Sequence, residues 1–165
     1  MKRSIMLLIL GVIIAASVSA RPELHMGWMD KITLFKSTKM DVEKSFGKGT
    51  GQNYGAMYKL KDGILDLEYY RFDHCKDRDE LSADWKLPEW TVVEIKYHFD
   101  NQVKLSSLNL DLKKFRKQRE SPDVPQLVSY VNDEDGVDYT LLPNGNLNSV
   151  RYFPGLRYEG FRCRK

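Results

Sequence analysis

Apolar and polar residues alternate most clearly over residues 90–99. Val93, Ile95, Tyr97 and Phe99 fall on one face, and Val92, Glu94, Lys96 and His98 on the other. A repeat of two is that of a β-strand with one face in a core and the other mostly in solvent. Residues 54–60 and 64–72, rich in Tyr, Leu and Ile, flank Asp62-Gly63 and predict a hairpin. Further strands are expected at 103–109, 127–132, 137–142 and 147–153. Asn144-Gly145 between the last two is a two-residue turn signal in which both residues take positive φ.

The helical pattern is confined to two short stretches. Ser37 or Thr38 offers an N-cap to a helix over about 38–46, with Asp41 placed to complete a capping box from Thr38 or to complement the helix dipole, and Gly47 to stop it. A second short helix is expected over 111–117, before the loop that Pro122 and Pro125 impose. These elements predict an α+β fold, an antiparallel sheet with short helices packed on a face.

The two stretches also look repeated. Met40-Asp41-Val42-Glu43-Lys44 recurs in kind as Leu110-Asp111-Leu112-Lys113-Lys114. A tyrosine (Tyr58, Tyr130), an Asp-Gly turn (Asp62-Gly63, Asp135-Gly136) and a closing strand (Ile95-Lys96-Tyr97, Val150-Arg151-Tyr152) follow each in the same order. The expectation is a tandem of two helix-plus-hairpin units, about 32–100 and 103–155. The first unit is longer by an insertion centred on 73–89, a length that unstructured loops rarely reach without a function. It carries Cys75, the charges Asp77, Arg78, Asp79 and Glu80, and Trp85, with Trp90 at its end. Aromatics beside charges on a tethered loop suit recognition, so Asp77, Arg78, Asp79, Glu80, Trp85 and Trp90 are the expected binding residues.

Residues 1–20 add an address. Lys2-Arg3, an apolar run over 5–16, and Ser17-Val18-Ser19-Ala20 have the three parts of an export signal cut after Ala20. The run would rise only about 18 Å as a helix, against about 30 Å of bilayer hydrocarbon. The expected product, residues 21–165, is a single exported domain, periplasmic or secreted, with no stable membrane insertion. The chain has 26 Lys and Arg against 23 Asp and Glu, and loss of Lys2 and Arg3 brings it close to neutral. That balance gives little drive toward nucleic acid. In an exported chain, Cys75 and Cys163 read as a disulfide.

Catalytic and metal signatures are missing. Asp77 and Asp79 alternate as calcium ligands would, but Leu81 takes the next ligand position and no glycine follows. His25, His74 and His98 have no zinc-like spacing, and His98 shares a strand face with Glu94 and Lys96 as a solvated surface. Gly47-Lys48-Gly49-Thr50-Gly51 follows a helix instead of opening one, so it is an exit loop, not a phosphate cradle. Lys113, Lys114, Arg116, Lys117 and Arg119 read as a solvated basic helix face, with contact to acidic polymers or anionic headgroups as the functional alternative. No metal and no cofactor is expected.

The segment Thr38-Lys39-Met40-Asp41-Val42-Glu43-Lys44-Ser45-Phe46-Gly47 resembles the opening of small outer-membrane assembly lipoproteins and β-lactamase-inhibitor-like folds. Trp90-Thr91-Val92-Val93-Glu94-Ile95, residues 110–117 and the late cysteine resemble a group of uncharacterised exported bacterial proteins. The resemblance implies a short helix on an antiparallel sheet, sometimes in tandem. Unlike the lipoproteins, this chain has no cysteine just after the cut to carry lipid. The functional expectation is a non-enzymatic binding, inhibitor or envelope-scaffold protein with a protein or envelope partner. The alternative is a small secreted hydrolase working through paired carboxylates drawn from Asp73, Asp77 and Glu94.

Overall fold

The computed structural model describes residues 26–72, 85–119 and 126–163. The expected export signal, His25, Asp73, His74, Cys75 and the charged run Asp77, Arg78, Asp79, Glu80 lie outside the described residues.

Seven strands form one antiparallel sheet: β1 (Gly55–Leu60), β2 (Gly63–Tyr69), β3 (Val92–Phe99), β4 (Arg116–Arg119), β5 (Val128–Asn132), β6 (Val137–Leu141) and β7 (Leu147–Tyr152). Their order is β1-β2-β3-β7-β6-β5-β4, so two meanders meet at their last strands. Ile95 pairs with Tyr152, Lys96 with Arg151, and Tyr97 with Val150. The two closing strands singled out by their sequence likeness are therefore hydrogen-bonded to each other about a local two-fold axis at Lys96 and Arg151.

The fold is β-rich, and this corrects the tandem helix-plus-hairpin α+β expectation. Among the described residues there is one α-helix, α1 (Lys39–Phe46). The helix expected over 111–117 is a single 3-10 turn, Leu112–Lys114, capped by the Asp111 side chain on Lys113 N at 3.3 Å. The chain then runs straight into β4. Leu112 and Phe115 are the only apolar residues there, too few for a helix to bury a stripe. Backbone pairing of 116–119 with β5 satisfies the same groups without one. Likewise 103–109 is not a strand but a loop with a 3-10 turn at Leu105–Leu108, touching β7's approach through a bridge between Lys104 and Asn146.

The turns also depart from the simplest reading. Only Gly145 of the Asn144-Gly145 pair has positive φ, +81°. Its N–H donates to Leu142 O at 2.9 Å, so the loop is longer than two residues. Gly63 is required by contact: a Cβ there would stand 2.1 Å from His98 O.

The core face of the sheet carries Tyr58, Leu65, Leu67, Ile95, Tyr97, Val150 and Tyr139, most of them less than 5 % exposed. Trp28, Ile32, Leu34 and Phe35 from the leading segment, and Val42 of α1, close over it. Helix α1 buries one residue only, Val42, so packing alone is a weak hold. Its N-terminus supplies the rest. Thr38 and Asp41 form a capping box, with Thr38 N donating to Asp41 Oδ2 at 2.9 Å. That bond holds the Asp41 carboxyl below the ordinary aspartate range. Lys39 N donates to Trp90 O and Val92 N to Ser37 O, at 2.9 and 2.8 Å, which fastens the helix start to the start of β3.

Candidate functional site

The face of the sheet opposite the core is charged in its first half. Register places Asp66 beside Lys96 and Glu68 beside Glu94 across β2 and β3. Lys96 faces Arg151 across the next gap, and Arg151 faces Asp138. Arg151 donates to Asp138 Oδ2 at 3.2 Å and lies 3.9 Å from Glu94 Oε2. Burial raises the Glu94 carboxyl above the ordinary glutamate range, against the pull of Arg151. Burial, helped by Lys96, lowers the His98 imidazole. A cleft of about 410 Å³ opens here, lined by Tyr54, Asp66, Glu68, Arg71, Glu94 and Lys96 among others.

An aromatic stack stands at the rim. The rings of Tyr54 and Trp90 lie 4.4 Å apart and 19° from parallel, and Lys39 Nζ is 4.5 Å from the Trp90 ring centre. Tyr54 donates its hydroxyl to Glu89 at 2.9 Å, which raises the phenol's pKa. Trp90 has φ +69°. A bulky side chain in the left-handed region is an outlier whose backbone costs about 1–2 kcal/mol. Both its backbone groups are spoken for, N–H by Tyr70 O at 2.7 Å and C=O by Lys39 N at 2.9 Å. The strained residue is thus locked from behind while its ring, partly buried against the core, forms the rim of the cleft.

Trp85 has a different place. It packs edge-on against Phe35 at 4.9 Å, under the guanidinium of Arg162 at 4.4 Å, and its backbone N and O both bond the Tyr70 hydroxyl. It is an anchor joining the chain's last turn to the core. Of the six expected binding residues, Trp85 and Trp90 are described, and they fall in separate clusters joined through Tyr70. Cys163 follows Arg162 directly; no described cysteine is free, and Cys75 lies outside the described residues. Among the described residues no group of His, Cys, Asp and Glu could hold a metal ion, and no helix is long and apolar enough to cross a membrane.

Sequence reasoning missed Tyr54, Glu68, Arg71 and Lys39 as partners of Trp90 and Glu94. Tyr54 is 36 residues from Trp90, and nothing short of the β1–β2–β3 register brings them together. Comparison with known proteins supplies no relative: no family model, curated protein or solved structure matches the chain.

Proposed function

We propose that this is an exported, non-enzymatic binding protein whose recognition surface is the charged face of β1–β3 with the Tyr54–Trp90 stack at its edge. The observation that carries the reading is Trp90 itself. Trp90 packs partly against the core, yet its indole also stacks on Tyr54 under the Lys39 ammonium at the rim of the cleft, on a backbone conformation suited to glycine. Strain of this kind concentrates at ligand clamps. The mixed charges beside it, Asp66, Glu68 and Glu94 against Arg71 and Lys96, suit a polar protein or envelope surface, since complementary charge sets register and partner choice. Cys75 and Cys163 belong to this reading as a disulfide 88 residues apart. On the chain-entropy account such a loop contributes about 4–5 kcal/mol. Thiol titration of the unfolded mature chain is expected to find no free thiol, and two would dismiss the pairing.

Trp90→Gly tests the surface while relieving the backbone, though it also removes the ring's packing on the core and on Tyr54. Glycine removes the ring and relieves the backbone, so Trp90→Gly is expected to be more stable than Trp90→Ala by about 1 kcal/mol. An envelope component retained by residues 21–165 and lost by a Trp90→Gly protein that still unfolds cooperatively, with Trp90→Phe retaining it, is the expected result. Equal retention by both would remove Trp90 from the surface.

The second reading, a hydrolase with paired carboxylates, draws on one observation: Glu94 has a raised carboxyl and stands across from Glu68. A carboxyl pushed by burial to hold its proton more tightly, with a second carboxyl opposite it, is a starting point for general acid–base chemistry. Arg151 beside Glu94 favours the ionised form and speaks for binding. Glycoside and ester hydrolysis by the wild type, abolished in Glu94→Gln, would reverse this preference.

A further inference from the structure

The basic run Lys113, Lys114, Arg116, Lys117 and Arg119 takes no part in the surface above, and it does not lie on a helix face. Its second half is β4, the terminal strand of the sheet on that side. The sheet's two ends differ. At the β1 end, Thr50 stands across Met57 and exchanges both backbone bonds with it, at 2.6 and 2.9 Å, which closes that edge near its middle. At the β4 end, no described residue pairs with the outer side of Arg116–Arg119. Alternate residues of an antiparallel edge turn N–H and C=O outward, so among the described residues β4 presents a short unfilled ladder.

The side chains beside that ladder have one sign. Lys117 and Arg119 lie on the face shared with Tyr130, and the Lys117 ammonium sits 5.8 Å from that ring's centre. Arg116 lies on the other face, where it meets Gln118 and bonds Asp133 Oδ2 at 3.3 Å. Among the described residues Lys113, Lys114, Lys117 and Arg119 form no ion pair. Charged residues on an edge strand keep like strands away, and a second copy of this basic edge is repelled in that way. The same cations attract a strand of opposite sign, and they do so from both faces.

We propose that β4 is a strand-addition site for an extended acidic segment of a partner protein. Main-chain bonds to the open edge would give affinity, and carboxylates at alternate positions, all on one face of the added strand, would meet Lys117 and Arg119. The site is separate from the Trp90 surface: β4 and β1 are the two ends of the sheet.

The probe is a capped hexapeptide alternating Glu and Val, titrated against residues 21–165 at low salt. Controls are the same peptide N-methylated at alternate amides, its Lys/Val counterpart, and a flexible sulfonated polyanion. The Glu/Val peptide is expected to bind, about tenfold more weakly after N-methylation on either parity that faces β4, and more weakly as salt rises. The Lys/Val peptide is expected not to bind. The Lys117→Glu/Arg119→Glu protein, checked for an unchanged melting temperature, is expected to lose the Glu/Val peptide and gain the Lys/Val one. Equal affinity for the N-methylated peptides, or for the polyanion, would show a charged patch without strand pairing and overturn the proposal. So would no binding by the wild type at millimolar peptide.

Discussion

The two halves of the sheet share a strand plan and differ in what they bury. In β1–β3 the core face is deep and aromatic, with Leu65 wholly buried and Leu67 and Tyr69 nearly so, while the opposite face carries ionised groups in a cleft. In β5–β7 the division between faces is lost. All five residues of β6 are buried, Asp138 and Thr140 included, and Ser129 and Ser149 on the neighbouring strands are at most 1 % exposed. The Ser129 and Thr140 hydroxyls bond each other at 3.1 Å. A polar face can thus be an open surface in one half and an interior of small hydroxyls in the other, with alternation in the sequence much the same. The open one has the strained tryptophan beside it, and that coincidence is what directs the functional reading to β1–β3.

The comparison can be broken at its strongest point first. Leu67→Ala removes a side chain 1 % exposed from the aromatic core, and is expected to cost about 2–5 kcal/mol in urea unfolding. A cost below 1 kcal/mol would mean the first half is less tightly built than described. Thr140→Val deletes a buried hydroxyl that Ser129 uses, and about 1–3 kcal/mol is expected by the same measurement. Loss near zero would return the second half's polar face to solvent. Arg151→Met separates the halves at their joint, taking a cation from both Glu94 and Asp138; partial exposure of Arg151 and its screening limit the loss to about 1–2 kcal/mol. The smallest effect is one of sign. Because burial raises the Glu94 carboxyl, the folded state holds that proton more tightly than the unfolded chain. Its contribution is complete below the ordinary glutamate pKa and is lost as pH rises through the folded value. Glu94→Gln is therefore expected to gain stability relative to wild type on going from acid to neutral pH, followed by melting temperature. An opposite slope would make Arg151, not burial, the controlling neighbour.

Much of this was readable from the chain. Helix α1 has Thr38, Asp41 and Gly47 as caps and stop, all local signals, and appears at Lys39–Phe46. The strands around 54–72, 90–99 and 127–153 follow from alternation and turn residues, and appear with shifts of a few residues. The stretch 103–119 misled because its charges and lone apolar residues fit a short helix as well as an edge strand. The choice was made by β5, which offers hydrogen-bond partners that a helix here would leave unused. Of the expected binding residues only Trp85 and Trp90 are described, and their register partners were not legible. Trp90 stood out by type, but its positive φ is imposed by bonds to Tyr70 and Lys39, 20 and 51 residues away in the chain. The charged residues that line the cleft are cross-strand neighbours, and cross-strand neighbours exist only once register is set.

The joint between β3 and β7 also fixes an order of events. Residues 95–98 have their partners at 149–152, close to the end of the chain. A ribosome that has finished β3 still has some fifty residues to make before β7 emerges. Through that interval β3 is an unpaired edge with Ile95 and Tyr97 beside it, open to pairing with a neighbouring nascent chain. Stopping the chain before Leu147 would remove β7 and leave that edge exposed for good. Nonsense variants near the C-terminus are therefore expected to aggregate, not to persist as half-domains.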